Sequence, residues 1–441
     1  MWAYQEALAW LYARQKLGIK LGLAKVERLL ERVGDPHKAF ASIHVAGTNG
    51  KGSVTRMLAD VLRHAGLRVG HTTSPHLVTF RERIEVDGQS IAAEQVAAGL
   101  AALRPHVEAL DADGAPPTFF EVVTALAFLH FKEQGVAWAA VETGLGGRLD
   151  ATNVLDPRLT IVTNVALDHT EQLGPTVGAI AWEKAGIMKP GVPCVTACHG
   201  EALLVLKLRS RELGVPMSII GEDYTVVPDL EHLVLLRPTG ESRYAVGLAG
   251  AHQRENAAVV VAAVEALRQQ GVAIPEEAVR RGLRSAYNPG RLETFQLEAE
   301  RLAAGAGPRS VTVLVDGAHN PAGGAALRQY LFDAGWRGFD LVAGFCADKA
   351  WAETLDNWLL PAARLWGVPV RNPRSLDAAA VRAAGAEAGV RSAAAPDVAT
   401  ALRLAVEAGA DRIVVAGSLF LAGEAIAVLR GEPLEEIRGA Q

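Results

Sequence analysis

The run Phe40 to Val45, followed without a spacer by Ala46-Gly47-Thr48-Asn49-Gly50-Lys51-Gly52-Ser53 and then by Val54 to Asp60, constrains this chain more than any other stretch. An apolar, β-branched run leads into a glycine-rich turn and then into a helical pattern. That order describes a strand whose carboxyl end feeds a helix N-terminus, the repeating unit of a parallel sheet covered by helices. The turn also has a chemistry. Its glycines let successive backbone N–H groups face one anion, the helix start adds positive potential, Lys51 suits a phosphate and the Ser53 hydroxyl suits Mg²⁺. The match to the common phosphate loop is imperfect: Val45 stands where its first Gly is expected, and Gly52 holds the usual Ser/Thr position. A ligand-free strand-to-helix turn is the ordinary alternative.

The alternation continues along the chain, which predicts an α/β protein. Strands are expected at 40–46, 68–73, 136–142, 159–166 and 192–197, and helices at 54–65, 91–110, 118–134 and 252–270. Their order in the sheet is not readable. From 222 to 249 the pattern shortens to Tyr224–Val227 and Leu233–Leu236 with turn signals at Pro238-Thr239-Gly240, a small antiparallel annex. Tyr287-Asn288-Pro289-Gly290-Arg291 breaks both periodicities and reads as a linker. Beyond it, strands near 310–316, 339–345, 365–370 and 411–416 alternate with helices near 321–334, 349–362, 375–388 and 397–408. The expected division is an N-terminal, P-loop ATPase-like domain over 1–292 and a smaller, Rossmann-like α/β domain over 293–441.

Composition narrows the partners. A net charge of −5 argues against a nucleic-acid binder and leaves room for small anionic ligands. Cys194, Cys198 and Cys346 form neither a disulfide framework nor a zinc site, so reduced core thiols are expected. The first residues lack a basic start followed by an apolar run, and no segment reaches the length of a membrane span. A soluble, cytoplasmic monomer acting on small molecules, without nucleic-acid or membrane partners, is the resulting expectation.

Two further strand ends carry chemistry. Val136–Val141 runs into Glu142 and then Thr143-Gly144-Leu145-Gly146-Gly147-Arg148-Leu149-Asp150, so Glu142 should emerge at the carboxyl edge of a buried strand, where open α/β sheets place ligands. A carboxylate beside phosphates suits Mg²⁺; a solvated strand-end Glu is the alternative. Val162–Ala166 likewise leads into Leu167-Asp168-His169-Thr170, and on chemistry alone Asp168 is the better Mg²⁺ ligand. In Trp182-Glu183-Lys184-Ala185-Gly186 a solvated helix face is the simpler reading.

As an ordered set these segments resemble the folylpolyglutamate synthase and dihydrofolate synthase family of the Mur ligases. The matching segments are Gly47–Ser53, Ser74-Pro75-His76-Leu77, Phe120-Glu121, Glu142–Asn153, Leu167–Thr170, Glu183–Ile187, Asn288-Pro289-Gly290-Arg291 and Asp316-Gly317-Ala318-His319-Asn320-Pro321. The resemblance implies that Ser53 and Glu142 hold one Mg²⁺, and that Glu142, His169 and a carbamylated Lys184 hold a second. His169 thereby replaces Asp168. It further implies that ATP meets Thr48, Asn49, Gly50, Lys51, Gly52, Ser53, Asn256, Arg291, Asp316 and His319, with Lys51, Lys184, Asp316 and His319 in catalytic roles. For the pterin-bearing substrate it indicates Ile19, Lys20, Leu21, Ser74, His76, Phe120 and Arg148. Lys20 stands where dihydrofolate synthases of the family often carry Asp. A monovalent cation such as K⁺ is a further expected cofactor.

The implied reaction is ATP-dependent amide formation: a substrate carboxylate takes the γ-phosphoryl group, and the amine of L-glutamate displaces phosphate. Arg148 within Gly147-Arg148-Leu149-Asp150 resembles the bifunctional bacterial members, so dihydropteroate and folate glutamates are both expected substrates. A cell-wall Mur ligase is the nearest rival, but only 46 residues precede Gly47, fewer than the usual UDP-binding domain needs. A non-ligase nucleotide-binding module would leave Glu142, His169, Lys184 and Asp316–Pro321 unexplained.

Overall fold

The computed structural model describes residues 2–18, 20, 22–237 and 240–435. Eight strands, β1 (Ala41–Ala46), β2 (Val69–Thr72), β3 (Ile84–Val86), β4 (Gln89–Ser90), β5 (Trp138–Glu142), β6 (Leu159–Val162), β7 (Cys194–Thr196) and β8 (Met217–Ile219), form one sheet in the order β4-β3-β2-β5-β1-β6-β7-β8. The strands from β2 to β8 in that order are parallel, and β3 and β4 add an antiparallel edge. Both faces are covered, which is why these strands read as continuous apolar runs. In β5, for example, Ala140 joins the core shared with helices Lys51–His64, Ala251–Gln269 and Glu276–Ser285, while Ala139 and Val141 join the opposite core shared with helices Tyr4–Ala13, Ala93–Ala112 and Phe119–Glu133.

The annex is an antiparallel sheet of β9 (Thr225–Val227), β10 (His232–Arg237) and β11 (Gly240–Ala245), as expected; Pro238 and Thr239 lie outside the described residues. A third sheet has the order β12-β13-β17-β14-β15-β16, comprising β12 (Glu293–Glu298), β13 (Ser310–Val315), β14 (Phe339–Ala343), β15 (Ala362–Gly367), β16 (Arg391–Ala394) and β17 (Arg412–Ala416). It is parallel except for β12, and helices Val398–Glu407 and Leu419–Arg430 cover one face while Pro321–Asp333 and Trp351–Leu359 cover the other. The α/β class holds in both units. Leu77 and Val78, which precede β3, are buried within the core of this last unit.

Two strands are shorter than their apolar patterns suggested: β7 spans only Cys194–Thr196, and β6 stops at Val162, with residues 163–169 forming a loop. The three cysteines are free and buried.

Candidate active site

The strand order explains why the three flagged strand ends meet. β1 lies between β5 and β6, with Val45 in register with Glu142 and Ala46 with Val162. The segments leaving all three strands therefore emerge side by side at one sheet edge. β1 delivers the phosphate loop, β5 delivers Glu142, and β6 delivers Asp168 and His169.

The loop is built on close approach. Gly50 has φ 84 and stands immediately before helix Lys51–His64; a Cβ there would lie 2.5 Å from Asn256 Oδ1. Gly47 has φ 153, and a Cβ on it would lie 1.9 Å from Thr163 Oγ1. The segment after β6 braces the loop: Thr48 N donates to Asn164 O at 2.8 Å, Asn49 N to Asn164 Oδ1 at 2.9 Å, and Thr163 Oγ1 to Asn49 O at 2.6 Å. The Thr48 hydroxyl donates to Ala166 O at 3.1 Å and accepts from Ala166 N at 3.0 Å. These bonds take the backbone groups that a longer β6 would have used, which is why the strand ends early.

Two amines converge on one carbonyl. Lys51 Nζ donates to Gly47 O at 3.1 Å and Thr48 O at 3.3 Å, and Lys184 Nζ donates to Gly47 O at 2.7 Å. Lys184 is 4% exposed, so the solvated-helix reading of this residue fails. Its helix, Val177–Ala185, turns Ile180, Ala181, Lys184 and Ala185 inward together. Burial, reinforced by the Lys51 charge, lowers the Lys184 amine from 10.5 to about 7. Near pH 7 a large share of this amine is therefore neutral, and the neutral amine is the nucleophilic form.

Glu142 is buried, accepting from Thr73 Oγ1 at 2.8 Å and Ser74 N at 3.3 Å, with Lys51 Nζ 3.9 Å from its Oε1. Ser53 is buried on the same wall, its Oγ 3.5 Å from Asn288 Nδ2. A hydroxyl, a carboxylate and phosphate oxygens make a hard-oxygen set that fits Mg²⁺. For a second ion, Glu142 and His169 fit, but Lys184 as an amine does not; only a carbamate there would supply oxygen.

Asp168 is committed elsewhere. Its Oδ1 accepts from Lys349 Nζ at 2.6 Å and from His169 N at 2.9 Å; its Oδ2 accepts from Asn320 Nδ2 at 3.1 Å and lies 3.6 Å from His319 Nε2. Burial alone would raise its pKa, but His319, Lys349 and His169 hold it well below the usual carboxylate range. His169 Nε2 accepts from Lys349 Nζ at 3.1 Å, and burial together with the Lys349 charge lowers the imidazole to about 4.

From the other unit, both Asp316 oxygens are taken by backbone amides: Oδ1 accepts from Ala318 N and Oδ2 from Leu292 N, each at 2.9 Å. Asp316 therefore shapes the turn that presents His319, whose Nδ1 donates to Gly317 O at 2.8 Å. Arg291 packs on Gly317, where a Cβ would stand 2.7 Å from a guanidinium nitrogen. Asn256 is buried and donates to Gln253 Oε1 at 3.0 Å rather than facing solvent.

The phosphate loop, Glu142, Asp168, His169, Lys184, Asn256, Arg291, Asp316, His319 and Lys349 border one cavity of about 800 Å³ between the two large sheets. Lys20, Ser74 and Phe120 line it too, and the Phe120 ring lies over Gly144, where a Cβ would be 2.5 Å from its edge. Two expected residues are off its wall. Arg148 pairs with Glu183 at 2.8 Å, and His76 is 1% exposed, its Nδ1 accepting from Arg83 Nε at 2.7 Å. Ile19 and Leu21 lie outside the described residues. Lys349, Thr163 and Asn164 were not singled out from the sequence, and Asn320 was named within the Asp316–Pro321 segment without a role. Lys349 shortly follows the apolar run Phe339–Phe345, so the strand-end signal that flagged Glu142 would have found it.

Comparison with known proteins agrees with this geometry. Residues 45–264 match the Mur ligase middle domain and residues 300–419 the Mur ligase glutamate ligase domain. The dihydrofolate synthase/folylpolyglutamate synthase of Bacillus subtilis is 42% identical over 336 residues, 73% of this chain and 74% of that protein. The crystal structure of folylpolyglutamate synthase from Thermotoga maritima superposes with a TM-score of 0.83 at 36% identity, covering 98% of each chain. The Mycobacterium tuberculosis folylpolyglutamate synthase complexed with ADP gives 0.87 at 30% identity, covering 98% of this chain and all of the other. The chain belongs to the folylpolyglutamate synthase/dihydrofolate synthase family of Mur ligases, ATP-dependent enzymes that form amides with L-glutamate.

Proposed function

We propose that this chain adds L-glutamate both to dihydropteroate and to the γ-carboxyl of folate glutamates, through an acyl phosphate, releasing ADP and phosphate. The observation that carries the reading is the convergence on one cavity of the phosphate loop, Glu142 and Lys184 with Lys349 and His319 from the other unit. The names of the relatives support both activities: the Bacillus subtilis protein carries both synthase names, and a structure of FolC from Escherichia coli, similar at TM-score 0.84 and 29% identity, is a complex with DHPP and ADP.

In this reading residues 1–292 bind ATP and the pterin-bearing substrate, and 293–441 form the glutamate ligase domain. The loop amides of Thr48 to Ser53 hold the phosphates, and Lys51 leaves the Gly47 and Thr48 carbonyls to neutralise the transferring group. Asn256, Arg291 and the Asp316–His319 turn border the nucleotide. Phe120 stacks on the flat heterocycle, with Lys20 and Ser74 beside it. Arg148 reaches substrate only after leaving Glu183. Ser53 and Glu142 hold one Mg²⁺, and Glu142, His169 and a carbamate on Lys184 hold a second, which requires Lys349 to leave His169. The ions neutralise charge on the phosphoryl group when bound. The lowered amine of Lys184 supports carbamate formation, because the neutral form adds carbon dioxide. Holding carboxylate, phosphate and amine in line, with water excluded, supplies the remaining rate.

A monovalent cation such as K⁺ and a monomeric, cytoplasmic state complete the reading. They rest on the family resemblance and on composition; among the described residues no helix is long and apolar enough to cross a membrane. The test is ADP release with ATP and L-glutamate, comparing dihydropteroate, tetrahydrofolate and a UDP-muramoyl peptide. Release with the first two supports the proposal, and release only with the third overturns it.

A further inference from the structure

The hydrogen-bond pattern around Asp168 is lopsided. Of the side chains that face its carboxylate, Lys349, His319 and Asn320 come from the C-terminal sheet unit, while the adjacent His169, its Nε2 3.9 Å away, comes from the unit in which Asp168 follows β6. Lys349 and Asp168 are 12% and 9% exposed, so this ion pair is largely desolvated although both side chains border the cavity. Asn320 ties the same place down a second way. Its Oδ1 caps helix Pro321–Asp333 through Gly323 N at 2.9 Å, which fixes the amide, and its Nδ2 donates to Asp168 Oδ2 and to Asn49 Oδ1, both at 3.1 Å. Asn49 returns a bond to Asn320 Oδ1 at 3.3 Å. One helix cap thus touches the phosphate loop and Asp168 at once.

We infer that Asp168 is the latch that holds the C-terminal unit closed over the phosphate loop, a positioning residue for glutamate ligation and not a metal ligand. A buried ion pair is a poor source of net stability, because desolvating both charges offsets most of their attraction. It is a good selector of one geometry, since a small displacement separates two poorly hydrated charges before water can reach either. Units joined by a linker move relative to one another unless something holds them, and a ligation that proceeds through a hydrolysable acyl phosphate needs them held. Asp168 is the group that meets all three C-terminal side chains together. The latch also explains why the chain places a carboxylate beside His169 and then surrounds it with donors.

The inference rests on the ligase reading for its kinetic arm but not for its structural arm. The experiment compares the unmodified chain with Asp168→Asn, Lys349→Met and the double variant. It measures radius of gyration by small-angle X-ray scattering, ATP affinity by calorimetry without glutamate, the Mg²⁺ requirement, and kcat/KM for L-glutamate. Loss of the latch should expand the scattering envelope and lower kcat/KM for glutamate on the order of 10²-fold, the scale of a misplaced reacting group. ATP affinity should fall by much less than kcat/KM for glutamate, because the phosphate loop stays intact while Arg291 and the Asp316–His319 turn withdraw, and the Mg²⁺ requirement should not rise. The double variant should lose no more than the worse single variant, because both remove one contact. Multiplicative losses, an ATP affinity that falls in step with kcat/KM, a raised Mg²⁺ requirement, or unchanged scattering would each overturn the inference. Should Asp168→Asn fail to fold, Lys349→Met carries the same measurements from the other side of the cleft. Absence of glutamate-dependent ADP release in the unmodified chain would instead overturn the ligase reading, and scattering alone would then judge the latch.

Discussion

Gly47→Ala is the substitution whose cost can be worked most directly from the geometry. The residue has φ 153, where an L side chain is strained by about 1–3 kcal/mol. The new Cβ would stand 1.9 Å from Thr163 Oγ1, which donates to Asn49 O at 2.6 Å, so the hydroxyl must leave. The part-buried Asn49 carbonyl then loses its partner, at a further cost of up to ~1–3 kcal/mol. The sum, about 2–6 kcal/mol, should appear in chemical unfolding monitored by near-ultraviolet dichroism. Thr163→Ala alone loses only the hydroxyl bond, so in the Gly47→Ala background it should cost nothing more. The double-mutant cycle then returns a coupling of about 1–3 kcal/mol, the energy of that one bond. Function should fall too. Gly47 O accepts from both Lys51 and Lys184, so displacing it should weaken ATP binding by roughly tenfold or more, about 1.4 kcal/mol, read by calorimetry. Additive stability effects, or a Gly47→Ala protein within about 0.5 kcal/mol of the unmodified chain and equal in ATP affinity, would refute the close-packing account of the loop.

Lys51→Ala should leave the fold intact and lower kcat on the order of 10²–10³-fold, checked by ADP release beside a dichroism spectrum. Lys184→Ala should abolish turnover with partial rescue by acetate, and native mass measurement should lose a carbon dioxide adduct; unchanged kinetics with no adduct in the unmodified chain would return Lys184 to a purely packing role. Arg148→Ala should depress dihydropteroate glutamylation more than folate polyglutamylation with little effect on stability, since its Glu183 pair is 47% exposed on the arginine side; equal loss of both activities would contradict this. Glu85 supplies the pH test: burial would raise its pKa, but the His71 and Arg56 contacts lower it from 4.5 to about 2. A depressed carboxyl stabilises the fold above its unfolded pKa and loses that effect as pH falls through the folded value. The stability gap between the unmodified chain and Glu85→Gln, about 3 kcal/mol near neutrality, should therefore close between pH 4.5 and about 2 in acid unfolding, and a pH-independent gap would refute the assignment.

Much of this architecture is legible in order and spacing alone. Apolar runs such as Val136–Val141 and Phe339–Phe345 reveal strands because a parallel sheet buried on both faces requires them. Gly47, Gly50 and Lys51 reveal the phosphate loop because only that backbone lets amides and an amine face one anion. The carboxylate at 142 is legible for the same reason: a charge ending a buried run has to leave the sheet at its edge. Elements without such a pattern were not legible. The strand Glu293–Glu298 alternates partly buried and exposed residues as an antiparallel edge, without the continuous apolar run of its neighbours, and 163–166 looks like a continued strand although its hydrogen bonds go to the loop.

What tertiary structure alone decided is burial and partnership. Nothing in Glu183-Lys184 tells a solvated helix face from a buried amine lowered to about 7; the turn of helix Val177–Ala185 towards Gly47 settles it. Nothing local separates Asp168 from His169 as a metal ligand either. Asp168 is occupied by Lys349, Asn320 and His319, residues more than 140 positions away, so its role depends on how two separate units face each other. The reason is physical. A local pattern records which way a side chain leaves its own strand or helix, whereas its charge state and chemistry depend on what the rest of the chain brings to meet it.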